Sequence, residues 1–242
     1  MQNALLVMTI ACAAFGATMI GGLFAISLRD RLHLVLGFSA GAVIGVAFFD
    51  LMPEALETGV VWGSRTIMLT CAAGFFLYTL IDRAMMLHTG GEGEDCHHHT
   101  RGWLGAGSFS AHSFLDGFAI GIAFQVSHAV GIVVAIAVLV HDFSDGLNTV
   151  NVVVRNGGDR RMAMRWLLTD AAAPVLGAGV SLFVTLPDHM IGLVLALFSG
   201  FFLYIGASDL LPESHHAHPK LFTTVATLAG AATLLFATQV AG

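Results

Sequence analysis

Long apolar stretches alternate with short polar segments along the whole chain. Each stretch is close to the roughly 20 residues that a helix needs to cross the hydrocarbon core of a membrane. No basic residue precedes the first stretch and no clean cleavage site follows it, so we interpret it as a retained helix rather than a signal peptide. The pattern predicts eight transmembrane helices, numbered span 1 to span 8, over residues 3–27, 32–53, 64–87, 102–125, 129–153, 163–186, 189–212 and 219–240.

The basic residues predict how the spans are oriented. Nine of the ten Lys and Arg residues lie in or beside the segments that join spans 1 and 2, 3 and 4, 5 and 6, and 7 and 8, whereas Arg65 alone lies on the other side. Cytoplasmic loops are enriched in Lys and Arg, so these four loops are expected in the cytoplasm and both termini outside it. One missed span would destroy this bias, which therefore also favours the count of eight.

Composition excludes several other classes of protein. Of the 242 residues, 56% are hydrophobic and only 11% are charged, against about 25% charged in a soluble domain. This excludes an ordinary soluble globule, a disordered chain and a coiled coil, and predicts a single all-α transmembrane domain over residues 1–242. The net charge of −6 argues against a nucleic-acid partner. Three widely spaced cysteines imply no disulfide framework.

Two internal repeats relate parts of the chain to one another. Residues 50–54 (Asp-Leu-Met-Pro-Glu) end span 2 and residues 209–213 (Asp-Leu-Leu-Pro-Glu) end span 7, an offset of 159 that also relates Gly41 to Gly200. By the predicted topology these two copies run in opposite directions across the membrane. Residues 112–117 (His-Ser-Phe-Leu-Asp-Gly) of span 4 and 141–146 (His-Asp-Phe-Ser-Asp-Gly) of span 5 form the second repeat.

Together the repeats predict three spans, a central pair and three further spans, with an inverted repeat. This 3+2+3 layout is typical of transporters whose substrate binds near the midplane of the membrane.

The central pair carries the candidate chemistry. His112 and Asp116 share one helix face, as do His141 and Asp145, because residues four apart are neighbours on a helix. Asp142 adds a third carboxylate, and neither span contains Lys or Arg. A charged Asp at the centre of a span costs about 2.5–3.5 kcal/mol, and imidazole with carboxylate is a ligand set for divalent transition metals. Hydrogen bonding between helices and a proton relay are the alternatives.

In these motifs the chain resembles the ZIP (Zrt-, Irt-like protein) family of metal transporters, bacterial type. The resemblance implies eight helices with both termini outside, a 3+2+3 inverted arrangement and a His-rich cytoplasmic loop between spans 3 and 4, here residues 88–101. It also implies a transport site in the central pair, with either a single metal ion or a second metal position beside the first. The ligands implied for the first position are His112, Asp116, His141 and Asp145, and those for the second are Ser113 and Asp142.

Three departures from the family pattern bear on that second position. Ser113 stands where the family has an amide, and Ser144 stands where it has a proline. Ala173 precedes Pro174, where many bacterial members have a Glu. Asp170, three residues before Ala173, could substitute for that carboxylate.

Other polar clusters could serve the same ion outside the central pair. Two His clusters could capture metal ions on the cytoplasmic side, or they could simply belong to solvated linkers. They are His97, His98 and His99 before span 4, and His215, His216 and His218 after span 7. Four acids lie at the ends of spans 2 and 7, namely Asp50, Glu54, Asp209 and Glu213. They could pass an ion along by short hops between carboxylates, or they could cap the helix ends.

We therefore expect a non-enzymatic, multi-pass protein of the bacterial inner (plasma) membrane. It would import divalent transition-metal ions such as zinc into the cytoplasm by alternating access. Ligand type does not choose among Zn, Fe, Mn, Co and Cd. No cofactor and no nucleic acid are expected, the partners are metal ions and the lipid bilayer, and a homodimer stays open. The alternatives are an intramembrane zinc-dependent hydrolase and a proton-coupled carrier of a small solute.

Overall fold

The structure is a computed structural model that describes residues 2–25, 32–87, 97–216 and 221–241. Within those ranges every regular element is helical and no strand occurs, so the all-α prediction is confirmed. The α-helices are α1 (Gln2–Phe24), α2 (Leu32–Val46), α3 (Met52–Thr58), α4 (Ser64–Leu87), α5 (His97–Val126), α6 (His128–Arg155), α7 (Arg160–Ser181), α8 (Asp188–Tyr204), α9 (Leu211–His216) and α10 (Leu221–Ala241).

Six helical stretches of the described chain are long and apolar enough to cross a membrane. They are Ala4–Phe24, His33–Thr58, Ser64–Ala84, His128–Val154, His189–Ser214 and Leu221–Val240, and they coincide with spans 1, 2, 3, 5, 7 and 8. Spans 4 and 6 correspond to α5 and α7, which are helical but carry more polar and basic residues. The count of eight spans therefore stays a prediction, whereas a multi-pass membrane protein is supported.

Several predictions concern parts of the chain outside the described residues. Residues 88–96 of the His-rich segment and His218 lie there. Helix α5 begins at His97, so the end of the predicted loop is helical. The side chains of five further candidates are also outside the description, namely those of His97, His98, His99, His215 and His216, and so is the side chain of Asp209.

The two Asp-Leu-x-Pro-Glu copies share a backbone feature that sequence patterning did not predict. A π-helical segment, Ala47–Leu51, joins α2 to α3, and a second, Ile205–Leu210, joins α8 to α9. In each copy the residue before the proline donates its N–H five residues back, from Met52 to Ala47 and from Leu211 to Gly206. Proline has no N–H for the α-helical ladder, which favours this local change of register.

The first of two compact units comprises Met1–Arg29, Leu80–Phe118 and Asp142–Phe183. It includes α1, α7 and the parts of α5 and α6 that carry most of the candidate ligands. Leu167 of α7 is fully buried against α1, and a Cβ at Gly22 would overlap its side chain. The small residue allows the two helices to approach closely.

The second unit comprises Asp30–Thr79, Ala119–His141 and Val184–Gly242. Here the residues related by the offset of 159 make equivalent contacts. A Cβ at Gly41 of α2 would overlap the carbonyl oxygen of Thr227 in α10. A Cβ at Gly200 of α8 would likewise overlap the carbonyl oxygen of Cys71 in α4. Both repeat copies thus place glycine where a neighbouring helix backbone leaves no room for a Cβ.

Candidate metal site

Four side chains predicted as ligands lie together. One ligand atom from each of His112, Asp116, His141 and Asp145 lies within 4.8 Å of the others. All four residues are buried, with at most 5% exposure. In the part of the chain that the structure describes, no other group of three or more His, Cys, Asp or Glu residues meets this criterion. We call these four residues the central His/Asp site.

The imidazole of His112 faces carboxylates from two helices. Its Nε2 lies 3.1 Å from Oδ2 of Asp116 and 3.4 Å from Oδ2 of Asp145. The first contact joins neighbours one turn apart on α5, and the second joins α5 to α6. Two buried carboxylates at one nitrogen carry more negative charge than a single imidazolium can neutralise. This donor set therefore favours a divalent cation.

His141 is oriented by the backbone of its own helix. Its Nδ1 lies 2.8 Å from the carbonyl oxygen of Ala137. Because a carbonyl can only accept, Nδ1 carries the proton in this contact, and in the neutral ring the lone pair is then on Nε2. A backbone partner of this kind fixes the tautomer and ring orientation of metal-ligating histidines. His141 is thus prepared to offer Nε2 as a ligand atom.

A glycine follows each aspartate of the central His/Asp site, and the packing of neighbouring helices explains why. A Cβ at Gly117, next to Asp116, would overlap the carbonyl oxygen of Pro174 in α7. A Cβ at Gly146, next to Asp145, would overlap the carbonyl oxygen of Thr18 in α1. Only glycine permits these backbone approaches, so the repeated Asp-Gly pair marks where the ligand helices meet their neighbours.

The contacts are reciprocal in both copies of the repeat. The carbonyl oxygen of Phe114 would be overlapped by a Cβ at Gly177 of α7, and that of Phe143 by a Cβ at Gly21 of α1. Phe114 and Phe143 hold the same position in the two His-x-Phe-x-Asp-Gly motifs. The sequence repeat therefore extends to the way in which each ligand helix packs.

Ser113 and Asp170, both considered for a second metal position, contact each other and are not among the four residues of the central His/Asp site. Ser113 donates a 2.8 Å hydrogen bond to Oδ1 of Asp170, and Thr149 donates a 2.7 Å hydrogen bond to Oδ2. All three side chains are fully buried, as is that of Asp142. No sequence motif pointed to Thr149, although its spacing of four residues from Asp145 places it on the same helix face.

Thr149→Val is expected to lower the free energy of unfolding by about 1–3 kcal/mol, because it removes a donor from a buried carboxylate oxygen. Reversible unfolding in detergent micelles measures the change. The matched control is Thr233→Val, since the Thr233 hydroxyl is exposed and bonds the carbonyl of Ala229 in its own helix. Equal stability of the two variants would show that the hydroxyl bond to Asp170 contributes little.

Three of the acids predicted along the ion path, Asp50, Glu54 and Glu213, are not among the four residues of the central His/Asp site. Asp50 is half-buried in the first π-helical segment, and its Oδ2 is buried without a hydrogen-bond partner among the described residues. Glu54 follows one turn later and is half-buried, whereas Glu213 is exposed.

At Ser144, where the family that the sequence resembles has a proline, α6 continues without a break.

A comparison with sequence models of known protein families identifies the family of this chain. Residues 86–238 match the sequence model of the ZIP zinc transporters, which is more than half of the chain. The chain belongs to the ZIP family. The resemblance predicted from the motifs is therefore confirmed, and family membership together with the six apolar helices makes the chain a multi-pass membrane protein.

Individual ZIP relatives match much of the chain. Zinc transporter ZupT of Corynebacterium efficiens is 29% identical over 88% of this chain and 90% of that protein. ZupT of Corynebacterium glutamicum is also 29% identical, over 88% of this chain and 91% of its own length. Zinc transporter ZIP13 of Pongo abelii is 26% identical over 76% of this chain, which spans only 58% of that relative. All three are named as transporters, not as enzymes.

Proposed function

We propose that this ZIP protein carries divalent transition-metal ions, zinc foremost, across the bacterial inner membrane through the central His/Asp site. The observation that carries the proposal is the convergence of two imidazoles and two carboxylates in a buried site. Neither ligand motif contains a Lys or Arg that could neutralise these acids. A transported dication would do so, and imidazole with carboxylate suits zinc and its neighbours in the transition series.

The proposed route follows the predicted eight-span topology with both termini outside. An ion enters past Glu54 and Asp50, binds the central His/Asp site and leaves past Asp209 and Glu213 into the cytoplasm, by alternating access. The matching glycine contacts and the two π-helical segments support an architecture of two repeat copies. In many transporters with such repeats, the substrate binds between the two copies. The hypothesis includes a homodimer of this chain. Chemical cross-linking in membranes would test whether two chains associate.

A second metal position formed by Ser113, Asp142 and Asp170 remains our hypothesis. Asp170 would have to exchange its bonds from Ser113 and Thr149 for a metal ion. Metal content of the purified protein, measured by inductively coupled plasma mass spectrometry, distinguishes the cases. Two zinc ions per chain, falling to one in Asp170→Ala, would support a binuclear centre. One ion in both proteins would restrict binding to the central His/Asp site.

Metal influx into proteoliposomes tests the proposed function directly. The purified chain is reconstituted with a zinc-sensitive dye inside, and Zn, Fe, Mn, Co and Cd are added outside in separate runs. Dye response above protein-free liposomes supports transport. A hydrolase would move no ions, and a proton-coupled solute carrier would keep its activity when divalent metals are chelated. Addition of metal to the opposite side of oriented vesicles reports the direction.

Deletion of residues 92–99 is expected to change the rate of influx while leaving transport intact. This His-rich segment is proposed to capture ions on the cytoplasmic side, after they have passed the central His/Asp site. Initial rates at several zinc concentrations measure the effect. An equally long Gly-Ser replacement of residues 92–99 controls for loop length. Complete loss of influx in both variants would show that the segment belongs to the transport path.

A further inference from the structure

A cavity of about 440 Å³ lies in the first unit, away from the central His/Asp site. Its wall includes Trp103 of α5 and, from the first turns of α7, Arg161, Met162, Arg165 and Trp166. Two guanidinium groups and two indoles around one concave space form a recognition surface for an anion with an apolar body. The transport hypothesis uses none of these residues.

Among the residues that line the cavity, basic side chains outnumber acidic ones. Arg161 and Arg165 lie one turn apart on α7, and neither forms an ion pair with another residue that the structure describes. Asp159, the acid on the cavity wall, caps α7 by accepting a 2.7 Å hydrogen bond from the backbone N–H of Met162. Two arginines against one capping carboxylate leave the space positive.

Both indoles belong to the lining of this space. Nε1 of Trp103 lies 3.0 Å from Sδ of Met162, which holds α5 and α7 together at this level. Tryptophan concentrates at the membrane–water boundary, where its ring bridges the headgroups and the hydrocarbon. The cavity therefore has the composition of a headgroup site.

An exposed apolar face of α7 continues from the cavity. Leu168 and Leu176 are 53% and 63% exposed, and they follow Arg165 at spacings of 3 and 11, which fall on one helix face. A ligand whose charged group lies at Arg165 could thus extend apolar chains along Leu168 and Leu176. A soluble anion would leave this face uncovered.

We propose that this cavity binds the headgroup phosphate of an anionic phospholipid, such as phosphatidylglycerol. The two guanidinium groups would contact the phosphate oxygens, the indoles would lie against the glycerol region, and the acyl chains would cover the apolar face of α7. Basic pockets between transmembrane helices recognise anionic headgroups in this way. The inference rests on the proposed placement of α5 and α7 in the membrane, and it is independent of metal transport.

Tryptophan quenching by brominated lipids tests the site. The chain has three Trp residues, so Trp62→Phe leaves only the two in the cavity as reporters. This full-length variant is reconstituted with brominated phosphatidylglycerol or brominated phosphatidylcholine, without metal. Each arginine is expected to contribute about a fivefold preference for the anionic lipid, so the two together give roughly 25-fold.

Arg161→Gln/Arg165→Gln in this background is expected to bring the preference close to one. The matched control is Arg65→Gln/Arg160→Gln, which removes the same charge from exposed arginines that do not line the cavity. The control should keep the preference. If the double variant cannot be purified, Arg161→Gln and Arg165→Gln are measured singly, and each should lower the preference about fivefold.

Three results would overturn the proposal. No preference for phosphatidylglycerol in the Trp62→Phe protein would exclude an anionic-lipid site. Equal losses in the cavity variant and the control would reduce the effect to bulk charge. Competition by inorganic phosphate at concentrations similar to the lipid would show a small-anion site. Because the assay contains no metal, a negative result here leaves the transport hypothesis untouched, and failed transport leaves this site untouched.

Discussion

Replacement of His112 by alanine is expected to abolish zinc influx in proteoliposomes while the protein still inserts into the membrane. The Nε2 of His112 is the atom that both Asp116 and Asp145 approach, at 3.1 and 3.4 Å. Its loss removes one ligand and leaves two buried carboxylates with one fewer neighbouring imidazole. Loss of an outer-shell partner alone lowers metal affinity about 10–100-fold, so a lost ligand should lower flux by at least roughly 100-fold.

The matched control for this variant is His128→Ala. His128 also lies on a ligand-bearing helix, at the start of α6, but it is exposed and contacts the ring of Phe124. Influx through His128→Ala should equal that of the unaltered protein at equal reconstituted amounts. Asp116→Ala should abolish influx like His112→Ala. Normal influx through both His112→Ala and Asp116→Ala would disprove the assignment of the central His/Asp site.

Gly117→Ala is expected to destabilise the protein by about 2 kcal/mol and to lower transport with it. A methyl group there overlaps the carbonyl oxygen of Pro174, and a backbone atom cannot rotate away as the end of a side chain can. Overpacking costs about 1–3 kcal/mol, and an overlap with backbone atoms falls at the upper end of this range, so it outweighs the roughly 1 kcal/mol that alanine adds through helix propensity. The strain would also displace the adjacent ligand Asp116.

Gly179→Ala supplies the comparison for that variant. Gly179 lies in α7, two residues beyond Gly177, and a Cβ at this position would meet no atom within 4 Å. This substitution should leave stability unchanged or slightly raised, because only helix propensity acts. Unfolding in detergent and zinc influx are measured for both variants. If Gly117→Ala proved as stable and active as Gly179→Ala, the close approach of α5 and α7 would be wrong.

Much of the site could be predicted from local spacing. The His-x-x-x-Asp pattern places two ligands on one helix face in each motif, because helical geometry depends only on neighbours along the chain. The resemblance to the ZIP family pattern implied that the two faces form one site. The structure brings His112, Asp116, His141 and Asp145 within 4.8 Å of one another, as that pattern indicated.

Other features depend on contacts between residues far apart in the chain. Asp170 could be proposed as a substitute carboxylate from its position in span 6, but not as the acceptor of hydroxyls from Ser113 and Thr149. The two prolines favour the π-helical segments. Hydropathy alone does not predict them, because a backbone bond that reaches five residues back in place of four leaves the apolar pattern unchanged. The cavity beside Arg161 requires Trp103 from another helix, and no sequence period connects those residues.

The sequence by itself determined the apolar helices, the repeats and the residue types of the candidate site, since these depend on periodicity and side-chain chemistry along single segments. The tertiary structure alone decided which groups meet: His112 with Asp145, Asp170 with two hydroxyls, and the glycines with carbonyls of neighbouring helices. The physical reason is that a binding site depends on distances between helices. Those distances are set by backbone packing at small residues, which local patterns do not encode.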